Sequence, residues 1–196
     1  MKRIIPLIVI LTSANVCFSQ NDKEESFQLA VRKVIEAFSK QNNKLLSNYL
    51  SSEIGVNLIH RVGVHDTYTT FKKINFLNST YPSTLFNFSK GIKYQPIRYA
   101  TLPKFDCTKE SWNKLGLYVD TTRIDHLLSS VCKDRNKYDL DHISQKTIHT
   151  FLNLENNSRR IILIDKSKKE LIFYLSYSKD RWYLTIVDSA TSDCSV

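Results

Sequence analysis

The stretch RIILIDKSKKELIFYLSYSKDRWYLTIVD, residues 160–188, decides the fold. It contains three apolar extended runs separated by two short polar segments. The three runs are 160–165, 170–177 and 181–188. Runs of this length with tight polar turns between them predict three antiparallel strands in a meander. On the last strand, alternation puts Trp182, Leu184 and Ile186 on one face, which we expect to face the core.

Two helices are predicted before any strand. Apolar residues recur at helical spacing from Phe27 to Phe38, and Asp22 with Glu25 has the spacing of a capping box. We therefore expect a first helix that begins near Asp22 and ends near Lys40. A polar break follows, and the residues at 45–50 predict a short second helix.

The segment between these helices and the meander is mixed. Alternating runs at 56–62 and 64–71 predict an antiparallel hairpin, and residues 72–104 predict irregular loops with short strands. Helical spacing returns in three pieces, which begin near Trp112, Arg123 and Ile143. The predicted fold is α+β, with N-terminal helices on a curved, mainly antiparallel sheet and a partly helical middle insertion.

The first twenty residues have the layout of an export signal. A basic start precedes an apolar run, and small side chains at Cys17 and Ser19 fit cleavage after Ser19. The apolar run is shorter than the ~20 residues that cross a bilayer, so we expect no transmembrane segment. Lipoprotein signals usually place a small residue before the lipid-bearing cysteine, whereas Val16 precedes Cys17, so we do not expect lipidation.

The predicted organisation is therefore a signal peptide over 1–19 and one α+β domain over 20–196, secreted or periplasmic. The formal net charge of the whole chain is +9, but Lys and Arg are spread along the sequence. Without a basic run in a recognisable module, we expect no nucleic-acid partner. No cysteine pair or histidine has the spacing of metal ligands, and we expect no cofactor.

Three cysteines follow the predicted cleavage point, namely Cys107, Cys132 and Cys194. An odd number in an oxidising compartment allows one disulfide and leaves one thiol. From this parity and the predicted export, we expect Cys107 and Cys132 to pair, which would close a loop of about 25 residues and stabilise the fold by about 3 kcal/mol. This pairing leaves Cys194 free.

Two segments resemble uncharacterised secreted proteins of Bacteroidetes-type bacteria. They are GVNLIHRVGVHDTY at 55–68 and RWYLTIVDSATSDCSV at 181–196. The order of predicted elements also resembles the cone-shaped fold of nuclear-transport-factor-two-like proteins. This resemblance implies a curved sheet around the first helix, often with an apolar pocket. The same fold serves enzymes, binding proteins and assembly modules, so it does not imply catalysis.

The nearest approach to a catalytic group is His60, His65, Asp66 and Tyr68 in the predicted hairpin, with Asp188 at the end of the last strand. Imidazole, carboxylate and phenol in apolar surroundings can shift each other's pKa and transfer protons. His60, Asp66 and Asp188 are therefore the candidate catalytic residues. The alternative is structural, with His60 a hydrogen-bonded core residue and Asp66 in a turn.

Tyr68 and Trp112 are candidate ligand-binding residues, because aromatic rings can stack on a ligand. The alternative is that they fill the core. Two functions remain open at this point. One is a non-enzymatic binding or envelope-associated module for a small apolar ligand or a protein partner. The other is an isomerase, cyclase or hydrolase acting on a small molecule, and it requires the candidate catalytic residues to line a cavity.

Overall fold

The computed structural model describes the backbone of residues 11–195 and the side chains of residues 21–195. The predicted signal peptide, with Cys17 and the cleavage point after Ser19, lies outside the residues whose side chains are described. Within residues 11–195, no helix combines the length and the apolar character needed to cross a membrane.

Helices and strands alternate irregularly along the chain. The helices are α1 (Leu11–Lys40), α2 (Asn43–Ser47), α3 (Leu127–Lys137) and α4 (Gln145–Asn156), with a 3-10 helix at Ser83–Asn87. The strands are β1 (Val56–Val62), β2 (His65–Phe71), β3 (Ile97–Tyr99), β4 (Phe105–Asp106), β5 (Ser111–Trp112), β6 (Gly116–Val119), β7 (Ser158–Ile164), β8 (Glu170–Ser178) and β9 (Arg181–Asp188).

Seven strands form one curved sheet in the order β2-β1-β9-β8-β7-β6-β3, and β4 pairs with β5 in a small separate sheet. The pairs β1–β9 and β3–β6 are parallel, and the other neighbours in the large sheet are antiparallel. The predicted α+β class and mainly antiparallel sheet are therefore confirmed, as is the meander β7–β8–β9.

The meander contains an irregularity that the sequence pattern did not predict. Tyr174 pairs with Ile186 but Leu175 pairs with Leu184, so Thr185 is one extra residue on β9. An extra residue reverses the alternation beyond it. Trp182 and Leu184 face the main core as expected, but Ile186 belongs to the cluster on the opposite face and Val187 replaces it in the main core. The prediction for Ile186 was wrong.

Helix α1 covers one face of the sheet, and its fully buried residues form the main core with strands of the sheet. Phe27 packs edge-on against Trp182, with 4.9 Å between the ring centroids, and the Trp182 indole donates to the Lys23 carbonyl at 3.2 Å. The helix ends at Lys40 as predicted. It does not begin near Asp22, because the helical backbone already runs from Leu11.

Helices α3 and α4 lie on the other face of the sheet. Leu128 and Val131 of α3 pack with Ile59, Tyr174 and Ile186. The predicted helices near Arg123 and Ile143 are thus confirmed, with later starts. The Glu155 carboxylate of α4 accepts bonds from the Leu128 amide and the Ser129 hydroxyl, each at 2.6 Å, and so caps the start of α3.

The helix expected near Trp112 is absent from this part of the chain, which instead contains β5 and β6. Gly116 has a φ of +136°, a value that no helical residue adopts. Leu117 and Val119 are fully buried, and β6 lies between β7 and β3. The apparent helical spacing therefore combined residues from two separate strands.

The disulfide joins Cys107 to Cys194, with 5.7 Å between their Cα atoms and a sequence separation of 87. The predicted Cys107–Cys132 bridge and the free Cys194 were wrong. Cys132 is a buried free thiol on α3, where burial raises its pKa to about 11. Cys132 lies on α3, whereas Cys107 lies between β4 and β5, where the C-terminal tail meets it.

Candidate functional site

His60 is a buried, hydrogen-bonded residue of β1. Its Nδ1 lies 3.0 Å from the Tyr81 hydroxyl and its Nε2 lies 3.2 Å from the Thr69 hydroxyl. Tyr81 donates its proton to the Arg61 carbonyl at 3.1 Å, so Nδ1 of His60 donates and Nε2 accepts. Burial lowers the pKa of His60, and the charge of Arg135 lowers it further. The structural alternative for His60 therefore fits its surroundings.

Asp66 and Asp188 lie on the opposite face of the sheet from His60. Arg61 follows His60 on β1 and so points to the other face, where its Nε donates to Asp66 at 2.8 Å. The fully buried Asp188 side chain accepts from Arg160 at 2.7 Å. The structure does not bring His60, Asp66 and Asp188 together, because the sheet lies between the imidazole and the two carboxylates. Each carboxylate is also paired with a different arginine, Asp66 with Arg61 and Asp188 with Arg160.

Tyr68 and Trp112 lie in separate packed regions. The Tyr68 ring is 5.3 Å from that of Phe151, and burial raises the Tyr68 pKa to about 12. The Trp112 indole donates to Glu170 at 2.6 Å, and its ring lies 5.2 Å from that of Phe105. His65, from the same predicted group, packs against Tyr138 at the hairpin.

Four open cavities of about 350 to 470 Å³ lie among the described residues. None of the four is lined by His60, Asp66 or Asp188, or by Tyr68 or Trp112. No residue of 21–40 on α1 lines any of them either. The cavities therefore lie away from the core between α1 and the sheet, where the cone resemblance implies a pocket.

One cavity, of about 350 Å³, combines charged side chains with an apolar wall, and we call it the Arg160 cavity. Its lining comes from the segment before and within β4, the loop before α3, strand β7 and the C-terminal tail. The lining residues are Thr101, Leu102, Pro103, Lys104, Phe105, Asp120, Arg123, Asp125, Arg160 and Thr191.

Arg160 forms the buried end of this cavity, with 15% of its side chain exposed. One Nη group donates to Asp188 and to the Thr191 hydroxyl, each at 2.7 Å, and the other lies 3.4 Å from Asp125. Burial alone would lower the pKa of Arg160, but the charges of Tyr174, Asp188 and Asp125 raise it above its usual range. Its Nε is buried and has no hydrogen-bond partner among the described residues.

The rim carries two further cations. Arg123 is 71% exposed and uses its Nε to bind Asp125 at 2.9 Å, which leaves its terminal nitrogens toward solvent. Lys104 is exposed at the mouth. Asp120 is held by Thr122, whose hydroxyl donates to it at 2.7 Å, and this bond lowers the Asp120 pKa. The lining thus has three cations against two carboxylates, and both carboxylates already accept bonds.

The sequence contained one signal for this site that was missed. Arg160 alternates with Ile162 and Ile164 on β7, and those two residues are buried on the second face of the sheet. A charged residue in phase with buried apolar residues must be paired, so it marks a buried polar contact. Its partners, Asp125 and Asp188, are 35 and 28 residues away in the chain, and no local pattern identifies them.

No family model, no curated protein and no solved structure matches this chain. Its function is therefore inferred from the geometry of the described residues.

Proposed function

We propose that this chain is an exported, non-enzymatic binding domain, and that the Arg160 cavity binds a small organic anion. The observation that carries the proposal is the buried Arg160 side chain on the lining of an open cavity that also contains Lys104, Arg123 and an apolar wall. The Cys107–Cys194 disulfide supports export, because disulfides persist in oxidising compartments.

The charge of the lining favours an anion. Lys104, Arg123 and Arg160 contribute donors, whereas the carboxylates of Asp120 and Asp125 already accept bonds from Thr122 and the two arginines. A carboxylate accepts planar, paired bonds from a guanidinium, which makes it a good match for arginine. The site therefore has spare donors rather than spare acceptors.

The opposite wall favours an apolar part in the same ligand. Leu102, Pro103 and Phe105 line the cavity, and Phe105 is supported by the edge of Trp112. Small-molecule sites are usually apolar clefts with a few placed polar groups that fix orientation. A ring or short chain that carries one carboxylate would meet both walls.

Neither hypothesis from the sequence is favoured in its original form. The four cavities described above do not adjoin residues 21–40 of α1, so the proposal uses the Arg160 cavity and not a pocket beside that part of α1. Proton transfer by His60, Asp66 or Asp188 would need at least one of them to line a cavity, and none of the three lines any of the four cavities. The non-enzymatic binding hypothesis remains, with its ligand class changed to an organic anion.

Sodium benzoate is a suitable probe, because it joins one carboxylate to one flat ring. Titration followed by backbone amide NMR should show saturable shifts at Leu102, Lys104, Phe105 and Thr191, with a Kd of about 1 mM, as a ligand of this size would give. Benzamide has the same shape without the charge, and it should bind at least about tenfold more weakly. Equal ionic strength in both titrations removes general screening as an explanation.

Variants localise the binding. Arg123→Gln removes a rim cation and should weaken benzoate about five- to tenfold, which is the roughly 1–1.4 kcal/mol that an ordinary hydrogen bond contributes at an exposed site. Arg32→Gln changes the net charge equally at an exposed position of α1 and should leave the Kd unchanged. If benzoate and benzamide shift the same amides with equal affinity, or if both variants weaken benzoate equally, the anion site is wrong.

A further inference from the structure

We propose that the Cys107–Cys194 disulfide is a reversible redox modification site, a latch that holds the two movable walls of the Arg160 cavity together. Its effect on ligand affinity rests on the proposed function. The latch itself is a property of the fold and can be tested without any ligand.

The disulfide connects the two walls directly. Phe105, on one wall, is two residues before Cys107, and Thr191, on the other, is three residues before Cys194. Strands β4 and β5 pair with each other through two residue pairs and with no strand of the large sheet. So short a hairpin is at best marginally stable alone, so its position depends on what attaches it to the rest of the fold.

The two walls also share a non-covalent link through one side chain. Glu170 accepts a bond from the Trp112 indole of the hairpin at 2.6 Å and another from the Ser192 hydroxyl of the tail. Both donors and the Glu170 side chain are half-buried, so water competes for these bonds when the chain moves. Water does not compete in this way with the covalent bond between Cys107 and Cys194.

The disulfide is open to exchange from one side, because Cys107 is exposed and Cys194 is half-buried. A thiolate of a dithiol reductant attacks the Cys107 sulfur, forms a mixed disulfide and releases the Cys194 thiolate, which takes up a proton. The second thiol of the reductant then closes its own disulfide and releases Cys107 as a thiol. Two electrons and two protons pass from the dithiol to the protein.

The other cysteine among residues 21–195, Cys132, does not compete in this exchange. Cys132 is buried in α3 beside Tyr68, and burial raises its pKa to about 11, so it stays a protonated thiol. Thiolates rather than thiols attack disulfides. The latch therefore exchanges with an external dithiol, and not with the chain's own thiol.

Hydrogen–deuterium exchange on the purified oxidised protein, with and without dithiothreitol, tests the latch. Reduction should speed amide exchange in residues 101–113 and 189–195 about tenfold, because local opening controls exchange there. Amides of β7 and β8 serve as an internal reference. Loss of the disulfide lowers global stability and so lowers their protection, but they should still exchange more slowly than the two walls. Reoxidation of the same sample should restore the original pattern, which separates latch opening from unfolding.

The double variant Cys107→Ser/Cys194→Ser should match the reduced wild type and should not respond to dithiothreitol. In the same samples, we expect the Kd for benzoate to rise about fivefold on reduction. Unchanged exchange at both walls on reduction would overturn the latch. Faster exchange with an unchanged benzoate Kd would show that the disulfide does not control ligand binding in the Arg160 cavity. Faster exchange in a protein that binds benzoate in neither state would support the latch and would reject the proposed function.

Discussion

Replacement of Arg160 by Met should be one of the most damaging single changes on the second face of the sheet. Asp188 has no exposed side-chain surface, and its Oδ2 lies 2.7 Å from Arg160. Removal of one partner from a buried ion pair costs about 3–5 kcal/mol, because the other charge stays buried without compensation. Asp188 keeps its bonds from Thr191 and the Ala190 amide, so we expect a loss near 3 kcal/mol.

The assay is urea unfolding followed by circular dichroism at pH 7, with thermal unfolding as a second measure. A loss of about 3 kcal/mol corresponds to a Tm lower by about 6–12 °C in a domain of this size. Arg159→Met is the matched control, because this neighbour faces the other way and its pair with Glu24 is partly exposed. We expect that change to cost about 1 kcal/mol, including the loss of the arginine's contact with the Phe27 ring.

A second substitution tests the cause of the loss. Adding Asp188→Asn to Arg160→Met removes the uncompensated charge and keeps one oxygen for the Ala190 amide. The double variant should therefore recover about 1 kcal/mol or more over Arg160→Met alone. If Arg160→Met costs less than about 1 kcal/mol, or if the asparagine gives no recovery, the buried pair is not what stabilises this face.

Three further predictions concern other parts of the fold. Cys107→Ser/Cys194→Ser opens a loop of 87 residues, and the chain-entropy relation gives a loss of up to about 4.6 kcal/mol in the free energy of unfolding. Thermal unfolding measures this loss, and a variant as stable as the oxidised protein would contradict it. Trp182→Ala should cost about 3–5 kcal/mol in urea unfolding, because the side chain is buried against α1, and an unchanged midpoint would remove it from the core. The pKa of His60 is lower in the folded protein than in the unfolded chain. As the pH drops below about 6.5, the imidazole therefore binds a proton in the unfolded chain before it does so in the folded protein, and the stability of the fold should fall. His60→Gln should flatten that decline between pH 7.5 and 5.5, and an identical slope would show that another group causes it.

Much of the fold could be predicted because its signals are local. The end of α1 at Lys40, the hairpin β1–β2 and the meander from β7 to β9 all follow from the period of apolar residues and the polar turns between runs. In the first turn of the meander, Asp165 accepts bonds from the amides of Ser167 and Lys169, which is the kind of short-range contact that a turn sequence encodes.

Two of the errors have a common physical cause, because they depend on contacts between residues that are distant in the chain. The bulge at Thr185 exchanges Ile186 for Val187 in the core, and it is visible only in the pairing of β9 with β8. The same holds for the disulfide, because Cys107 and Cys194 are 87 residues apart and meet only in the folded chain. Cysteine number limits the possible pairings but does not select one.

The candidate site follows the same logic as these errors. The sequence suggested catalysis at the hairpin because His60 and Asp66 are close along the chain, yet alternation along a strand pair puts them on opposite faces. Arg160 stands near the start of a strand, where a charged residue is ordinary, yet its partners converge on it from the loop before α3 and from the tail. One face of the sheet is closed by α1 and supplies stability. The other is covered by the insertion and the tail, which meet around the buried Arg160, and this second face is where we propose that a ligand binds.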